Sequence, residues 1–439
     1  MLILGLVLPL ALGLVFWFRA LDQNPAVSIP TPVMPAMNAR DYYVAATNAV
    51  VDGQKIEDAR ASFNPQGRLP NSPPSPSLAD KEKLVAENAG AVRLLHQGFQ
   101  YPYQEPLARS FSAMFPHYQK MRALARFLSL QAQVDAGRGD WNGAINADLD
   151  AIQMGETMPH GGPLIGMLVG VACQSIGRKQ AWGTVDHLNA VQARAAARRL
   201  AQIRTHHVPF VDTLQEEKWS GQASFLELMR RPNWSGALAN AIVPDPNGGQ
   251  NGGQSGNSAG QWALGTRLRL MGKRRIMADY TQTLDRMIAE ARLPFATRAP
   301  VPAAPPAADP ISDMLAPSFW NTRIRETEAN TQNALLMVTL ALRAYKMEHG
   351  VYPATLAALA PNYLQAVPDD PFALSGALRY KRQGARYILY SVGPDGKDDG
   401  GRPIFDRTKT APSSASASDP RYYVLNDSQG DVVAGVNIY

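Results

Sequence analysis

The chain has 439 residues, of which 45% are hydrophobic and 8% aromatic, and this composition excludes a globally disordered protein. The formal net charge is +6, from 43 basic and 37 acidic side chains without a dense Lys/Arg block, which excludes an electrostatically bound nucleic acid as partner. The single cysteine, Cys173, excludes an intramolecular disulfide and a thiolate metal cluster. Because it lies in an apolar run, we expect Cys173 to be a small buried core residue.

The chain begins with an uncharged apolar run, residues 2–18, which ends in an aromatic triplet before Arg19. Such a run with Trp17 and Arg19 at its boundary predicts a single-pass transmembrane anchor, residues 1–20. A cleaved signal peptide is the alternative, but a basic n-region is missing and Phe18 would occupy the outer small-residue position of a cleavage site. Arg19 by itself favours a cytoplasmic body.

A helical domain is predicted behind a short stalk. Residues 21–38 contain several prolines and are predicted to be an extended stalk. Residues 39–244 carry long alanine- and leucine-rich stretches with the spacing of amphipathic helices, so this domain is predicted to be all-α. A Pro/Ser-rich segment, residues 64–77, cannot continue a helix and is predicted to be a loop within the domain.

One segment of this domain carries a Gly-Asp-Trp step followed by two pairs of a small and a large apolar residue: Gly139-Asp140-Trp141, Ala144-Ile145 and Ala151-Ile152. The segment resembles one tetratricopeptide repeat. The resemblance implies a turn between two antiparallel helices, with Ala132 as the small residue at which the first helix is closely approached. Because a solenoid needs at least about three repeats, the prediction is a tetratricopeptide-like hairpin within a larger helical domain.

Two linkers divide the second half of the chain. Residues 245–262 are rich in glycine, asparagine and serine and are predicted to be a flexible linker. Residues 263–297 are predicted to form a basic amphipathic helix that packs on the helical domain, with contact to a membrane surface as the alternative. Residues 298–310 are predicted to be a Pro/Ala linker before the last domain, residues 311–439.

The last domain begins with a long helix and continues with a hairpin. Residues 321–347 have an apolar stripe at helical spacing, and Gly350 is placed as a C-terminal stop. Residues 377–392 alternate between apolar and polar side chains around Gln383-Gly384, which predicts two antiparallel strands. A long helix followed by a small antiparallel sheet is an α+β arrangement.

Three short motifs occur in this domain in a fixed order: His349-Gly350-Val351-Tyr352-Pro353, Pro368-Asp369-Asp370-Pro371-Phe372 and Ser391-Val392-Gly393-Pro394-Asp395-Gly396. Their order and spacing resemble the head domain of the major pseudopilin of type II secretion. That family has a Gly-x-Tyr-Pro step at the end of its helix, then a Pro-x-Asp-Pro-aromatic segment, a hairpin and a Ser-x-Gly-x-Asp-Gly loop. The resemblance implies a pseudopilin-like head and a bacterial envelope protein whose body is extracytoplasmic.

The resemblance also implies a calcium site in the loop after the hairpin. The expected ligands are the carbonyl of Val392 and the carboxylates of Asp395, Asp398, Asp399 and Asp406. Calcium needs several hard oxygen ligands on a turning backbone, and the glycines of this loop allow such turns. An Asp-Gly turn without any metal is the alternative.

The predicted fold class is multidomain, with an N-terminal membrane helix, an all-α tetratricopeptide-like domain and a C-terminal α+β pseudopilin-like head. The predicted function is that of a non-enzymatic scaffold or interaction protein. It is predicted to be held in the bacterial cell membrane by a single transmembrane helix and to bind a partner protein, with secretion or pilus-like components as candidates. One alternative is a subunit of a type II secretion or pilus-like apparatus, joined through the helix at residues 321–347. The other is a hydrolase built from His160 or His207 with Glu216.

Overall fold

The computed structural model describes residues 16–17, 19–61, 76–242, 259–297, 310–410 and 419–437. Most of these residues are helical, and a small three-stranded antiparallel sheet lies near the C-terminus. The helices of the first half are α1 Ala39–Ala49, α2 Gly53–Ala61, α3 Leu78–Glu87, α4 Ala89–Gly98, α5 Pro116–Gly137, α6 Trp141–Thr157, α7 Leu164–Thr184 and α8 Ala190–Arg204. The later elements are α9 Phe210–Met229, α10 Trp234–Ile242, α11 Ala259–Met271, α12 Lys273–Ala291, α13 Pro310–His349, β1 Arg379–Gln383, β2 Arg386–Ser391 and β3 Val432–Val433.

The prediction of a membrane-spanning helix in the fold class is wrong. In the part of the chain that the structure describes, every helix is too short or too polar to cross a bilayer. Even α13, a helix of 40 residues, carries Arg323, Arg325 and Glu328 along its length. The proposed anchor, residues 1–20, lies almost wholly outside the described residues. On this finding the location as a single-pass protein of the bacterial cell membrane, with an extracytoplasmic body, is also a wrong prediction.

Helices α5, α6 and α7 pack on one another and form the centre of the helical part. The turn between α5 and α6 passes through Gly139, whose φ of +78° is accessible to glycine at low cost. Asp140 then caps α6, because its Oδ1 accepts a hydrogen bond from the Gly143 N–H at 2.8 Å. Helices α6 and α7 approach so closely that a Cβ at Gly155 would collide with the backbone carbonyl of Gly170. The small residues therefore set the distance between these two helices.

Helix α13 packs on α7 and α8 and so joins the C-terminal part to the helical part. One hydrophobic cluster includes Ile152 of α6, Leu200 of α8, Leu335 of α13 and Leu389 of β2, all fully or almost fully buried. This single core contains residues from before and after both predicted linkers, residues 245–262 and 298–310. The apolar stripe of α13 is thus covered by helices of the same chain.

The predicted hairpin is present in the C-terminal part. Strands β1 and β2 pair antiparallel from Arg379 opposite Tyr390 to Gln383 opposite Arg386, and the turn between them contains Gly384 at φ +61°. Strand β3 extends the sheet beside β2. Gly350 ends α13 as expected, with φ +75° and its N–H donating to the carbonyl of Lys346 at 2.8 Å.

Helices α9 to α12 form a second layer around Phe225, Trp234 and Tyr280. The basic segment predicted as one helix at residues 263–297 is divided at Gly272, whose φ is +81°. Helix α11 also begins earlier than expected, at Ala259, within the segment predicted to be a linker. Helix α12 packs on α9, so this segment is part of the helical assembly.

Candidate functional site

The loop predicted to bind calcium follows β2 and is built on turns. Gly393, Gly396, Gly400 and Gly401 all have positive φ, between 70° and 87°. These conformations favour glycine and let the backbone reverse direction repeatedly within a few residues. Each carboxylate of the loop accepts a local hydrogen bond: Asp395 from Lys397 N at 3.1 Å, Asp398 from Tyr390 Oη at 2.9 Å and Asp399 from Arg402 Nη2 at 2.8 Å.

The predicted ligands do not converge on one position. Asp406 accepts hydrogen bonds from the N–H and the hydroxyl of Thr408 at 2.8 and 2.7 Å, and these bonds lower its pKa. Across the described ranges, no group of three or more His, Cys, Asp or Glu side chains is arranged to hold a metal ion. The N–H of Val392, whose carbonyl was the predicted ligand, donates a hydrogen bond to Asp370 Oδ2 at 3.0 Å. The present arrangement therefore does not fit calcium, and calcium binding stays a prediction.

Asp431 is the buried carboxylate around which this loop folds, and the sequence analysis did not identify it. Its two oxygens accept hydrogen bonds from the N–H groups of Asp399 at 3.3 Å and Gly401 at 2.7 Å. Burial raises its pKa to about 6, and the nearby carboxylates of Asp398 and Asp399 add to the rise, while the two backbone hydrogen bonds oppose it. Asp431 precedes β3 and lies far from the loop in sequence, so no local pattern pointed to it.

Asp370 of the Pro-Asp-Asp-Pro-Phe motif is a second buried carboxylate that accepts hydrogen bonds from the backbone, here at the end of β2. It accepts hydrogen bonds from Ser391 Oγ at 2.6 Å, from Val392 N at 3.0 Å and from Phe372 N at 3.0 Å. Burial raises its pKa although these hydrogen bonds act in the opposite direction. The motif residue thus joins the segment before β1 to the end of β2.

His207 lies in a buried charge cluster between the helical part and α13. Its Nδ1 is 3.0 Å from Glu156 Oε1 of α6, and its Nε2 is 2.9 Å from Glu326 Oε1 of α13. Burial alone would lower the pKa of His207, but the two carboxylate contacts outweigh it and raise the pKa to about 10. The adjoining cavity, lined also by Asn330, has a volume of about 20 Å³, which is room for a single water.

The residues of the hydrolase alternative do not come together. Glu216 receives two hydrogen bonds from the guanidinium of Arg109, both at 2.9 Å. His160 is instead bound through Nδ1 to the carbonyl of Thr157 at 3.0 Å, and burial lowers its pKa. Neither His160 nor His207 is hydrogen-bonded to Glu216. The geometry of the described residues therefore gives this pairing no support.

A different feature stands out on the surface, where residues 30–38 run beside residues 104–109, and residues 110–114 continue from the second segment. Two contacts hold the segments together. At one end, Asn38 Nδ2 donates to the carbonyl of Gln104 at 2.7 Å, and Gln104 N donates to Asn38 Oδ1 at 3.0 Å. At the other end, Arg109 Nη1 donates to the carbonyl of Pro30 at 2.6 Å. We call this the two-segment surface.

The two-segment surface exposes large apolar side chains from both segments: Val33, Met34, Met37, Leu107, Phe111 and Met114. Val33 is 92% exposed and Met114 is 84% exposed. Single exposed apolar residues are common, but several on adjoining segments are typical of an interaction site. Sequence analysis assigned residues 21–38 to a stalk and could not place them beside residues 104–114.

Comparison of the chain with protein-family models, with curated proteins and with solved structures finds no match.

Proposed function

We propose that this chain is a non-catalytic interaction protein that binds a partner protein through the two-segment surface. The observation that carries the proposal is the exposure of apolar side chains on two segments held side by side. Burying such side chains against a partner is favourable by about 25 cal/mol per Å² of apolar area. The methionines Met34, Met37 and Met114 are unbranched and adapt to the shape of a partner.

The surface is supported by a rigid base, which favours binding because little conformational entropy is then lost. Arg109 forms its bidentate contact with Glu216 of α9, and both side chains are about 10% exposed. The guanidinium also lies 5.7 Å from the ring centre of Trp219. Phe111 packs edge-on against the buried Phe225, with their ring centroids 5.5 Å apart. Residues 109–111 of this surface are thus attached to α9 of the second layer of helices.

The environments of three ionisable groups with shifted pKa values, His207, Asp370 and Asp431, also support a non-catalytic protein. His207 is bound at both ring nitrogens, and Asp370 and Asp431 accept hydrogen bonds from backbone N–H groups. Perturbed pKa values are common at active sites, but they also occur in structural networks, as here. The cavity beside His207 has a volume of about 20 Å³, which is room for a single water and too small for a substrate.

For the C-terminal part we retain the proposal of a pseudopilin-like head, and we place its helix in an intramolecular role. Leu335, Val338 and Leu342 of α13 are fully buried in the core shared with α8. A subunit that joined a secretion or pilus-like apparatus through this helix would first have to expose that stripe to water. The covered stripe therefore favours the interaction protein over the apparatus subunit.

Site-specific photo-crosslinking in cells that naturally produce the protein tests the proposal. A photoreactive residue in place of Val33 or Met114 should give one discrete adduct with a partner protein. The same residue in place of Leu374, which is 65% exposed in the C-terminal part, is the matched control and should give none.

A second substitution links the adduct to the apolar surface. Phe111→Asp should abolish the adduct formed from Val33, because a carboxylate at the centre of the interface would have to be desolvated. Equal adducts from all three positions, or no adduct from Val33 and Met114, would refute the proposed function.

A further inference from the structure

A groove lies between α10 and α11, away from the two-segment surface. The two helices meet at glycines, since Gly265 faces the carbonyl of Ser235 and the backbone of Gly236 at 3.5 to 3.6 Å from the position of a Cβ. Above this contact the groove has a volume of about 380 Å³. Clefts that bind small ligands measure roughly 300–1,000 Å³, so the groove is large enough for one.

The lining of the groove combines apolar and polar groups in similar amounts and is almost uncharged. Its walls carry the carboxamides of Asn233 and Asn240, the hydroxyl of Thr266 and one guanidinium, that of Arg269. Among the described residues that line it, no carboxylate is present. A cation would therefore find no negative ligand, and a ligand with several phosphates would find only one positive charge.

One wall is the indole ring of Trp262, which is 68% exposed. A tryptophan ring has a large apolar face and a single polar N–H, so it suits a ligand that is apolar on one face and polar at its edge. The Trp262 side chain is large and its exposure leaves much of that face in contact with water. A ligand that covers the ring would remove this apolar area from water.

We propose that this groove binds a small neutral oligosaccharide. A sugar ring has a face of C–H groups that can stack on Trp262 and a rim of hydroxyls that both donate and accept hydrogen bonds. Carboxamides offer a hydrogen-bond donor and an acceptor together, and Asn233 and Asn240 supply two of them. The groove shares no residue with the two-segment surface, so this proposal does not rest on the partner protein proposed above.

Isothermal titration calorimetry of the full chain tests the proposal with three probes: cellotetraose and chitotetraose, which are neutral, and trigalacturonate, which is anionic. At least one neutral probe should bind with a Kd of about 1 mM or lower. Trp262→Ala should weaken that binding by about tenfold and Asn240→Ala by a few-fold. Leu293→Ala, an exposed position beyond α12 and outside the groove, should leave the affinity unchanged.

Trp262 and Asn240 are both exposed, so their alanine variants should fold, and circular dichroism checks this. Binding of neither neutral probe would overturn the proposal. Neutral binding that Trp262→Ala leaves intact would also overturn it, because the ligand would then occupy another site. Binding of trigalacturonate alone would assign the groove to anions through Arg269 and would equally refute a neutral saccharide site.

Discussion

Replacing His207 by glutamine should destabilise the fold, because it removes the only cation of the Glu156–His207–Glu326 cluster that is hydrogen-bonded to both carboxylates in the described structure. The rise of the His207 pKa from 6.5 to about 10 corresponds to about 5 kcal/mol, at 1.36 kcal/mol per unit. The His207 side chain is 28% exposed, so solvent screening reduces this value. We therefore expect His207→Gln to lower the free energy of unfolding by about 3 kcal/mol at neutral pH.

The same cluster predicts a pH dependence of known sign. A histidine whose pKa is raised in the folded state contributes its full stabilisation below the unfolded value of 6.5. That contribution is lost as the pH rises through the folded value of about 10. The wild-type free energy of unfolding should therefore decline across this window, and that of His207→Gln should decline less. Urea unfolding, followed by circular dichroism between about pH 6 and pH 10, measures both quantities.

His349→Gln is the matched control for this experiment. It makes the same chemical change at an exposed histidine whose Nδ1 lies 3.0 Å from the carbonyl of Tyr345 and 3.5 Å from Tyr363 Oη, and which forms no ion pair with a carboxylate in the described structure. The double variant His207→Gln/Glu156→Gln should recover part of the lost stability, since one of the two unpaired carboxylates is then gone. The reasoning is refuted if His207→Gln unfolds like His349→Gln and keeps the wild-type dependence on pH.

Three further predictions concern other sites. Gly155→Ala should lower the free energy of unfolding by roughly 2 kcal/mol, because the added Cβ would meet the backbone carbonyl of Gly170. Gly183→Ala, where the added Cβ meets open space, should raise it by about 0.5–1 kcal/mol, and similar results for both variants in urea unfolding would contradict the close packing of α6 and α7. Asp148 is fully buried without a hydrogen-bond donor among the described residues, and burial raises its pKa well above 3.8, so the wild-type free energy of unfolding should fall as the pH rises above 3.8. Asp148→Asn should lack this fall and should gain on the order of 2 kcal/mol near pH 7; parallel pH profiles of the two proteins would disprove this. The predicted calcium binding is tested by thermal unfolding of the full chain with calcium and with chelator. Because the loop carboxylates do not converge, the two melting curves should coincide; a rise of the midpoint in calcium that Asp395→Ala removes would instead establish calcium binding by this loop.

The elements that the sequence predicts well are those specified by neighbouring residues. The hairpin turn at Gly384 and the end of α13 at Gly350 each need a positive φ, and glycine at these positions marks them directly. The turn predicted at Gly139-Asp140-Trp141 is also local, and the Asp140 side chain there accepts a hydrogen bond from the Gly143 N–H only three positions away. The break at Gly272 between α11 and α12 was missed, because a single glycine within a helical pattern often continues the helix.

The charge clusters could not be predicted in the same way, because their members are distant in the chain. Glu156 and Glu326 meet His207 only after α13 has packed on the helical part, and nothing near His207 in sequence marks either carboxylate. Asp431 likewise reaches the loop around Asp399 through the pairing of β3 with β2. The acidic residues that the sequence does display in that loop, such as Asp395, are instead bound to their own neighbours.

A linker-like amino-acid composition does not by itself show that the domains on either side of it fold independently. Residues 298–310 have a composition that cannot form a core, which led to the prediction of separate domains on either side of them. The parts before and after this segment nevertheless pack on each other. Leu335 of α13 and Leu200 of α8 lie in one hydrophobic cluster, so each part completes the core of the other. A long helix with an apolar stripe needs a covering partner, and here the chain supplies that partner itself. The apolar surface that we propose binds a partner protein is consequently not the stripe of α13 but includes side chains that the described chain leaves exposed, such as Val33 and Met114.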